Sequence, residues 1–244
     1  EGLAGWTIYA VGTDGAGNPV SLSTVTDSNG DYEFKLVPGT YTISEYLGDT
    51  GWEQTAPVGG VHNVTLVSGE IHACNDFGNV YWQDETAWGK GEGDYDITFI
   101  ELGLSNWGWT NGPIEQPEMY EEPVVVGFDL WADAGGNVLL PPATKVGTGT
   151  ITYTSEGSLT VVYDFFDWVR VDDIHIWVGS APLPSKKNGY TNAPGQFTFD
   201  FGDVTALGGN SYQLTTSKSG AIYVAAHAVV EYAAKIPPPA PAPP

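Results

Sequence analysis

The stretch from residue 24 to residue 52 restricts the fold more than any other part of this chain. Within it Tyr32, Phe34 and Leu36 are separated by charged residues, which is the period of a strand with one buried face. An Asn-Gly dipeptide precedes this run and a Pro-Gly dipeptide follows it, and both favour tight turns. The stretch therefore predicts an antiparallel meander with one apolar face, and nothing in it indicates catalysis.

The charge of the chain excludes several classes of partner. It has 30 acidic and 8 basic residues, a net charge of −22, so no basic surface is expected to bind nucleic acid or an anionic membrane. No apolar run reaches the length of a membrane span, which predicts no membrane insertion by this chain. An acidic surface attracts cations. The sequence predicts no required cofactor, and its composition is compatible with calcium binding.

The first 79 residues predict a small antiparallel sandwich of six or seven strands. Strands are expected at 6–11, 24–26, 32–36, 41–43, 61–67 and 71–74, because β-branched and aromatic residues alternate with polar ones between turn signals. Cys74 is the only cysteine, so it has no disulfide partner in the chain, and a lone cysteine in an apolar strand is expected to be buried.

Residues 80–236 predict a second, larger antiparallel sandwich with long loops rich in Trp and Gly. Strands are expected at 97–100, 124–132, 151–154, 159–166, 174–178, 196–201 and 211–216. The run 221–232 is the longest apolar one, and its Ile-Tyr-Val start favours a buried strand over a helix. Residues 237–244, PPPAPAPP after Lys235-Ile236, predict an extended polyproline linker or tail. The predicted fold class is all-β, with two sandwiches in tandem.

Residues 2–79 resemble the B-type repeat domains of prokaryotic surface adhesins, the collagen-adhesin and serine-aspartate-repeat families with a transthyretin-like fold. The matching phrases are GLAGWTIY at 2–9, TDSNGDYEF at 26–34, LVPGTYTISE at 36–45, GWEQT at 51–55 and DFGN at 76–79. The resemblance implies a non-enzymatic stalk module at an extracellular cell surface. Residues 80–236 resemble, more weakly, uncharacterised modules of large secreted surface proteins, through a DETAWG opening and an IYVAAHAVV close.

The resemblance also implies a strand that this sequence lacks, because family members begin with a further strand before the phrase GLAG. Either the sequence is a fragment, or a neighbouring subunit supplies the strand to an edge that has unpaired backbone groups. Some relatives carry a Lys–Asn isopeptide crosslink promoted by an acid, at the position of Glu45. The linking lysine belongs on the absent strand and Lys35 lies on another, so Glu45 is expected to be an ordinary strand carboxylate.

Three residues of the first turn have the spacing of oxygen ligands for calcium. Asp27, Asn29 and Asp31 form D-x-N-x-D without the later glutamate of an EF-hand, and the Asn-Gly turn alone also explains them. Further carboxylates that could bind a cation from loops are Asp84, Glu85, Asp94, Asp167, Asp172 and Asp173. The histidines show no zinc-ligand spacing, and His227 in the apolar closing run is expected to be a hydrogen-bonded core residue.

A second candidate site is the run Asn106-Trp107-Gly108-Trp109-Thr110-Asn111. In an extended segment Trp107 and Trp109 would point to the same side, and two such rings flanked by the amides of Asn106 and Asn111 could stack on a sugar. The alternative is that both indoles pack beneath a loop. Asn63-Val64-Thr65 is a glycosylation sequon.

The sequence thus predicts a non-enzymatic structural or adhesive surface protein. The expected partners are other copies of the chain, joined by edge-strand pairing into a filament, sheath or surface layer, or neighbouring surface modules. The alternative function is a carbohydrate-binding module that uses Trp107 and Trp109.

Overall fold

The computed structural model describes residues 2–48, 51–187, 189–234 and 240–242. Within these ranges the chain is all-β, with antiparallel sheets and only four short 3₁₀ turns, which confirms the predicted fold class. None of the described helical turns is long and apolar enough to cross a membrane. The chain divides into two units, one of residues 1–83 with 233–244 and one of residues 84–232.

The first unit is built from five strands and the beginning of a sixth. The strands are β1 (Thr7–Asp14), β2 (Pro19–Val25), β3 (Gly39–Glu45), β4 (Trp52–Ala56), β5 (Val61–Leu66) and β6 (Gly78–Gly91), the last of which continues into the second unit. A four-stranded sheet has the order β2-β1-β3-β5, and β4 pairs with the start of β6. Each of these pairings is antiparallel.

The core of the first unit lies on one face of the four-stranded sheet. Its buried residues come from alternate positions of the strands, since successive side chains of a strand point to opposite faces; they are Trp6, Ile8, Ala10, Tyr41, Ile43 and Val64. Half-buried rings from outside the sheet, among them Tyr32, Phe34 and Phe77, pack against this cluster.

Two segments that the sequence predicts as strands are not strands in the structure. Residues 31–37 and 71–77 are irregular, and no backbone–backbone hydrogen bond joins residues 32–37 or 71–77 to the described part of the chain. The alternation in the first segment is nevertheless real, because Tyr32, Phe34 and Leu36 are half-buried while the residues between them are exposed. The pattern therefore reports which side chains face the core, whereas a strand also needs a partner for its backbone.

Cys74 departs from its expected position. It is exposed, and its φ of 64° lies in the left-handed region, which a residue in a regular strand does not adopt. The prediction of a small buried side chain is wrong because the segment around it makes no ladder in which the thiol could pack.

The second unit holds the remaining strands. They are β7 (Asp96–Thr98), β8 (Trp109–Ile114), β9 (Val124–Ala132), β10 (Thr144–Tyr153), β11 (Ser158–Phe165), β12 (Val169–Gly179), β13 (Ser185–Lys186), β14 (Gly189–Tyr190), β15 (Thr205–Gly208), β16 (Ser211–Ser217) and β17 (Ile222–Ala233). The 3₁₀ turns are Gly93–Tyr95, Gly135–Asn137, Pro194–Gln196 and Phe201–Asp203. The main sheet has the order β15-β16-β11-β10-β9-β6-β17-β8-β7, and β12 also pairs with β17.

Strand β17 is the centre of the second unit. It bonds to β12 over Val169–Gly179 and to β8 at Ile114 and Asn111, and eight of its twelve residues are buried. The predicted preference for a buried strand over a helix is confirmed. Successive residues of β17 point to opposite faces of the sheet, and Val224 and Ala226 lie in one buried cluster while Ala225 lies in another. Two buried clusters result, one around Phe128, Tyr163 and Ile174 and one around Trp88, Phe99 and Trp109.

The predicted strand 196–201 is wrong. Residues 194–196 and 201–203 are 3₁₀ turns, and only Phe199 makes an isolated bridge, to Ile176. Asp200 ends the extended stretch because its side chain accepts from the Gly202 N–H while the Asp203 side chain accepts from the Asp200 N–H, which is a capping box.

Candidate functional sites

The first candidate site is formed by segments 31–37 and 71–77, together called the open slot because neither segment belongs to a described strand. The Tyr32 hydroxyl donates to the Asn75 carbonyl, and the rings of Tyr32 and Phe77 lie 6.3 Å apart. The segments thus contact each other through side chains and not through a backbone ladder. Backbone groups outside a ladder are a template for a further strand. No backbone–backbone hydrogen bond joins residues 32–37 or 71–77 to the described residues, although side chains bond to the carbonyls of Val37, Asn75 and Asp76.

Glu45 lies beside the slot and is not the ordinary carboxylate that was expected. The Asn79 side-chain amide donates to Glu45 Oε2 at 2.8 Å, while Glu45 Oε1 and Asn79 Oδ1 are buried with no hydrogen-bond partner among the described residues. Burial raises the pKa of Glu45 to about 7, although the Asn79 bond acts in the opposite direction. Burial, Asp76 and Glu45 together raise the pKa of Tyr32 to about 12, which places Glu45 close to the slot.

We expect Glu45→Gln to stabilise the isolated chain at pH 8. Because the folded pKa of about 7 lies above the ordinary glutamate pKa of 4.5, the folded state binds more protons than the unfolded state between these two pH values. Stability contributed by the protonated form is therefore present below pH 4.5 and is lost as the pH rises through 7. The side chain is only half-buried, so water screens part of this effect. We therefore expect Glu45→Gln to raise the free energy of unfolding at pH 8 by about 1 kcal/mol, less than the full pKa shift would give.

Urea unfolding at pH 4 and pH 8 measures this effect as a difference between the variant and the parent chain. Glu33→Gln is the matched control, because Glu33 is exposed on the segment that carries Tyr32. Equal unfolding free energies for Glu45→Gln and the parent chain at pH 8 would show that the Glu45 carboxylate is not penalised by the fold.

The predicted calcium loop has a structural explanation within the chain. Asp27 Oδ1 accepts from the N–H groups of Asn29 and Asp31 at 2.8 and 3.1 Å, and the Gly30 N–H donates to the Asp27 carbonyl. These are the bonds of an Asx turn, so one of the three candidate oxygens is already engaged. Calcium binding at Asp27, Asn29 and Asp31 stays a prediction.

A different set of carboxylates converges in the second unit. Oxygens of Asp84, Asp172 and Glu231 all lie within 4.8 Å of one another, and Arg170 lies 3.6 Å from Glu231. Burial first, and then Asp172 and Asp84, raise the pKa of Glu231. The sequence indicated Asp84 and Asp172 as candidate ligands; it did not indicate Glu231, because that residue sits in the otherwise apolar run of β17.

The structure does not bring the four residues of the predicted carbohydrate site, Asn106, Trp107, Trp109 and Asn111, onto one surface. Trp109 and Asn111 are buried in β8, whereas Trp107 is half-buried and Asn106 is exposed. Gly108 lies between the two indoles with φ of 137°, a conformation that breaks the alternation of an extended segment. The rings are consequently T-shaped, 6.0 Å apart, and do not form one surface. The prediction that Trp109 and Asn111 contact a ligand is wrong.

Asn111 serves the sheet instead. Its amide donates to the carbonyls of Gly89 in β6 and Val224 in β17, both at 3.1 Å. A buried amide of this kind satisfies backbone acceptors that the ladder leaves free.

Trp107 and Asn106 nevertheless line a cavity of about 550 Å³ in the second unit. Its other lining residues include Trp88, Ser105, Asn192 and His227. His227 is buried, its ring lies 4.5 Å from Trp88 and 5.4 Å from His175, and its Nδ1 has no hydrogen-bond partner among the described residues. Burial and the nearby His175 lower the pKa of His227 to about 3, so this imidazole is neutral at pH 7. The expected core position is thus correct, but the expected hydrogen bond is absent at Nδ1.

The sequon asparagine lies on the surface. Asn63 is exposed in β5, and its Oδ1 accepts from the Thr42 hydroxyl at 3.1 Å. Glycosylation of Asn63 stays a prediction.

The described part of the polyproline tail is residues 240–242; the rest of the predicted segment 237–244 lies outside the described residues. Ala240 packs against the core cluster of the first unit. Comparison of the chain with protein-family models, with curated proteins and with solved structures finds no match, so the sites above are the basis for inferring its function.

Proposed function

We propose that this chain is a non-enzymatic, extracellular structural subunit that assembles with copies of itself into a filament, sheath or surface layer. The joint is the open slot of the first unit, which receives a β-strand from a second copy. The observation that carries the proposal is that no backbone–backbone hydrogen bond joins residues 32–37 or 71–77 to the described part of the chain, although side chains of both segments pack against one apolar core.

The core beside the slot explains why a strand would insert. Tyr32, Phe34, Leu36 and Phe77 are only half-buried against the cluster, so apolar surface stays in contact with water. A strand that adds apolar side chains to this surface is favoured by about 25 cal/mol per Å² of apolar area removed from water. Its backbone gains ladder bonds on both sides, which is the recognition mode of strand addition.

The polar groups at the slot specify part of the incoming strand. Glu45 Oε1 and Asn79 Oδ1 are buried and have no hydrogen-bond partner among the described residues, and leaving such groups unpaired costs about 1–3 kcal/mol each. The inserted strand is therefore expected to present a hydrogen-bond donor, such as a lysine ammonium or a hydroxyl, next to Glu45. The resemblance to adhesin repeats, in which a lysine reaches this position, agrees with that requirement.

Charge controls the conditions under which copies meet. A net charge of −22 per chain makes the copies repel one another, and this repulsion is screened over about 10 Å at 0.1 M salt. Assembly is accordingly expected to need salt or a divalent cation such as calcium, without a requirement for a dedicated calcium site.

Electron microscopy and light scattering of the concentrated chain test the proposal. We expect polymers of uniform width in 0.15 M salt with calcium, and a shift towards single chains when both are removed. A chain that stays strictly monomeric at high concentration under all of these conditions would contradict self-assembly.

A further inference from the structure

The cavity beside Trp107 differs chemically from the rest of this acidic molecule. Among the described residues that line it there is no Asp, Glu, Lys or Arg, although the chain carries 38 such residues, 30 acidic and 8 basic. Its titratable lining residue, His227, is held in the neutral form by burial and by His175. The cavity therefore offers no charged partner to an ionic ligand, and the net negative charge of the chain repels an anion.

Aromatic rings and free polar groups are combined in this cavity. Trp88, Trp107 and the His227 ring supply apolar surface. The side chains of Ser105, Asn106 and Asn192 make no hydrogen bond to the described part of the chain, and those of Ser105 and Asn106 are exposed, so a ligand can replace water at their donors and acceptors. A small ligand with one flat apolar face and several hydroxyl groups matches both features.

The loop that carries Trp107 is held in place before any ligand arrives. Asn137 Nδ2 donates to the Gly108 carbonyl at 3.0 Å, and the Gly108 carbonyl also accepts from the Phe99 N–H at 2.9 Å. Trp109 contacts Trp107 edge-on from the core. A preformed site avoids the entropy cost of ordering a loop on binding.

We propose that this cavity binds a neutral sugar, as a pyranose stacked on Trp107 with its hydroxyl groups bonded to Asn106 and Asn192. This site is independent of strand insertion, because the open slot belongs to the first unit and the cavity to the second.

Titration of the chain of residues 1–244 with sugars tests the site. The probes are glucose, galactose, mannose, N-acetylglucosamine and their short oligomers, with glucuronic acid as the anionic comparison, followed by tryptophan fluorescence and by NMR of the indole N–H groups. We expect at least one neutral sugar to bind with a dissociation constant of about 1 mM or lower, and glucuronic acid to bind more weakly than glucose.

Two variants and one control locate the binding. Trp107→Ala removes the stacking face, and Asn106→Asp adds a carboxylate of nearly the same shape; each is expected to weaken binding about tenfold or more. Trp168→Ala is the control, since Trp168 is 42% exposed and does not line the cavity, and it should leave the affinity unchanged. Absence of binding across the neutral panel, or equal affinity in Trp107→Ala and the parent chain, would overturn the proposal.

Discussion

Phe34→Asp should prevent assembly of the chain, whereas Lys35→Asp at the next residue should leave assembly intact. Phe34 packs against the core beside the open slot, and Lys35 is exposed on the opposite side of the same segment. The variant loses a half-buried aromatic ring and gains a carboxylate at the slot. Together these changes weaken the free energy of strand insertion by about 3 kcal/mol. This corresponds to a rise of about 100-fold in the concentration at which polymers form.

The control Lys35→Asp distinguishes an effect at the open slot from a general effect of added negative charge. Lys35→Asp changes the net charge from −22 to −24 and Phe34→Asp changes it only to −23, so the control carries the larger increase in repulsion. Sedimentation over a range of concentrations gives the threshold, and circular dichroism with thermal unfolding shows that both single chains are folded. Polymer formation by Phe34→Asp at the parent threshold would contradict the slot as the joint, and equal loss in both variants would indicate charge repulsion alone.

Much of the fold follows from local patterns in the sequence. The strand 124–132 is found with the predicted bounds, as β9, and β16 and β17 begin within one residue of their predicted starts. These strands have ladder partners within the chain, so the alternation of side chains and the pairing of backbones coincide. Strand β8 (Trp109–Ile114) was missed because glycine and proline interrupt its apolar pattern.

Strand predictions failed where side chains alternate between core and solvent but the backbone has no neighbouring strand. Residues 32–36 have the best alternation in the chain, and their side chains do alternate between core and solvent, but no described strand bonds to them. The backbone ladder depends on residues distant in sequence or in another chain, which a local period cannot report. The same limit explains residues 196–201, where a capping box ends an alternating run.

The candidate sites were predictable only in part. Asn106 and Trp107 were indicated by their residue types and do line a cavity. The opposite placement of Trp109 depends on one backbone angle at Gly108, and Asn111 was drawn into the core by two backbone carbonyls. The contact of Glu45 with Asn79 joins residues 34 positions apart, so its raised pKa became visible only from the folded arrangement.

The second large effect is expected in hydrogen exchange of the backbone amides. In the isolated chain, amides of residues 32–37 and 71–77 donate to no backbone carbonyl of the residues that the structure describes, and they should exchange almost as fast as in an unfolded peptide. Strands β1 and β3 each pair on both sides, so their amides should be protected by the free energy of opening the sheet. Insertion of a strand should raise protection in both slot segments about 1000-fold, which corresponds to about 4 kcal/mol.

Mass spectrometry of deuterium uptake in single chains and in polymers measures this difference segment by segment. Strand β2 is the internal control, because it is an edge of the four-stranded sheet and lies outside the slot. Protection gained by β2 or β5 alone would mean that copies join at a sheet edge. Protection of 32–37 and 71–77 already in single chains would mean that a strand of the same chain fills the slot. Only protection that appears in both slot segments together, and only in polymers, agrees with a strand from a second copy, because one inserted strand must bond to both sides of the gap at once.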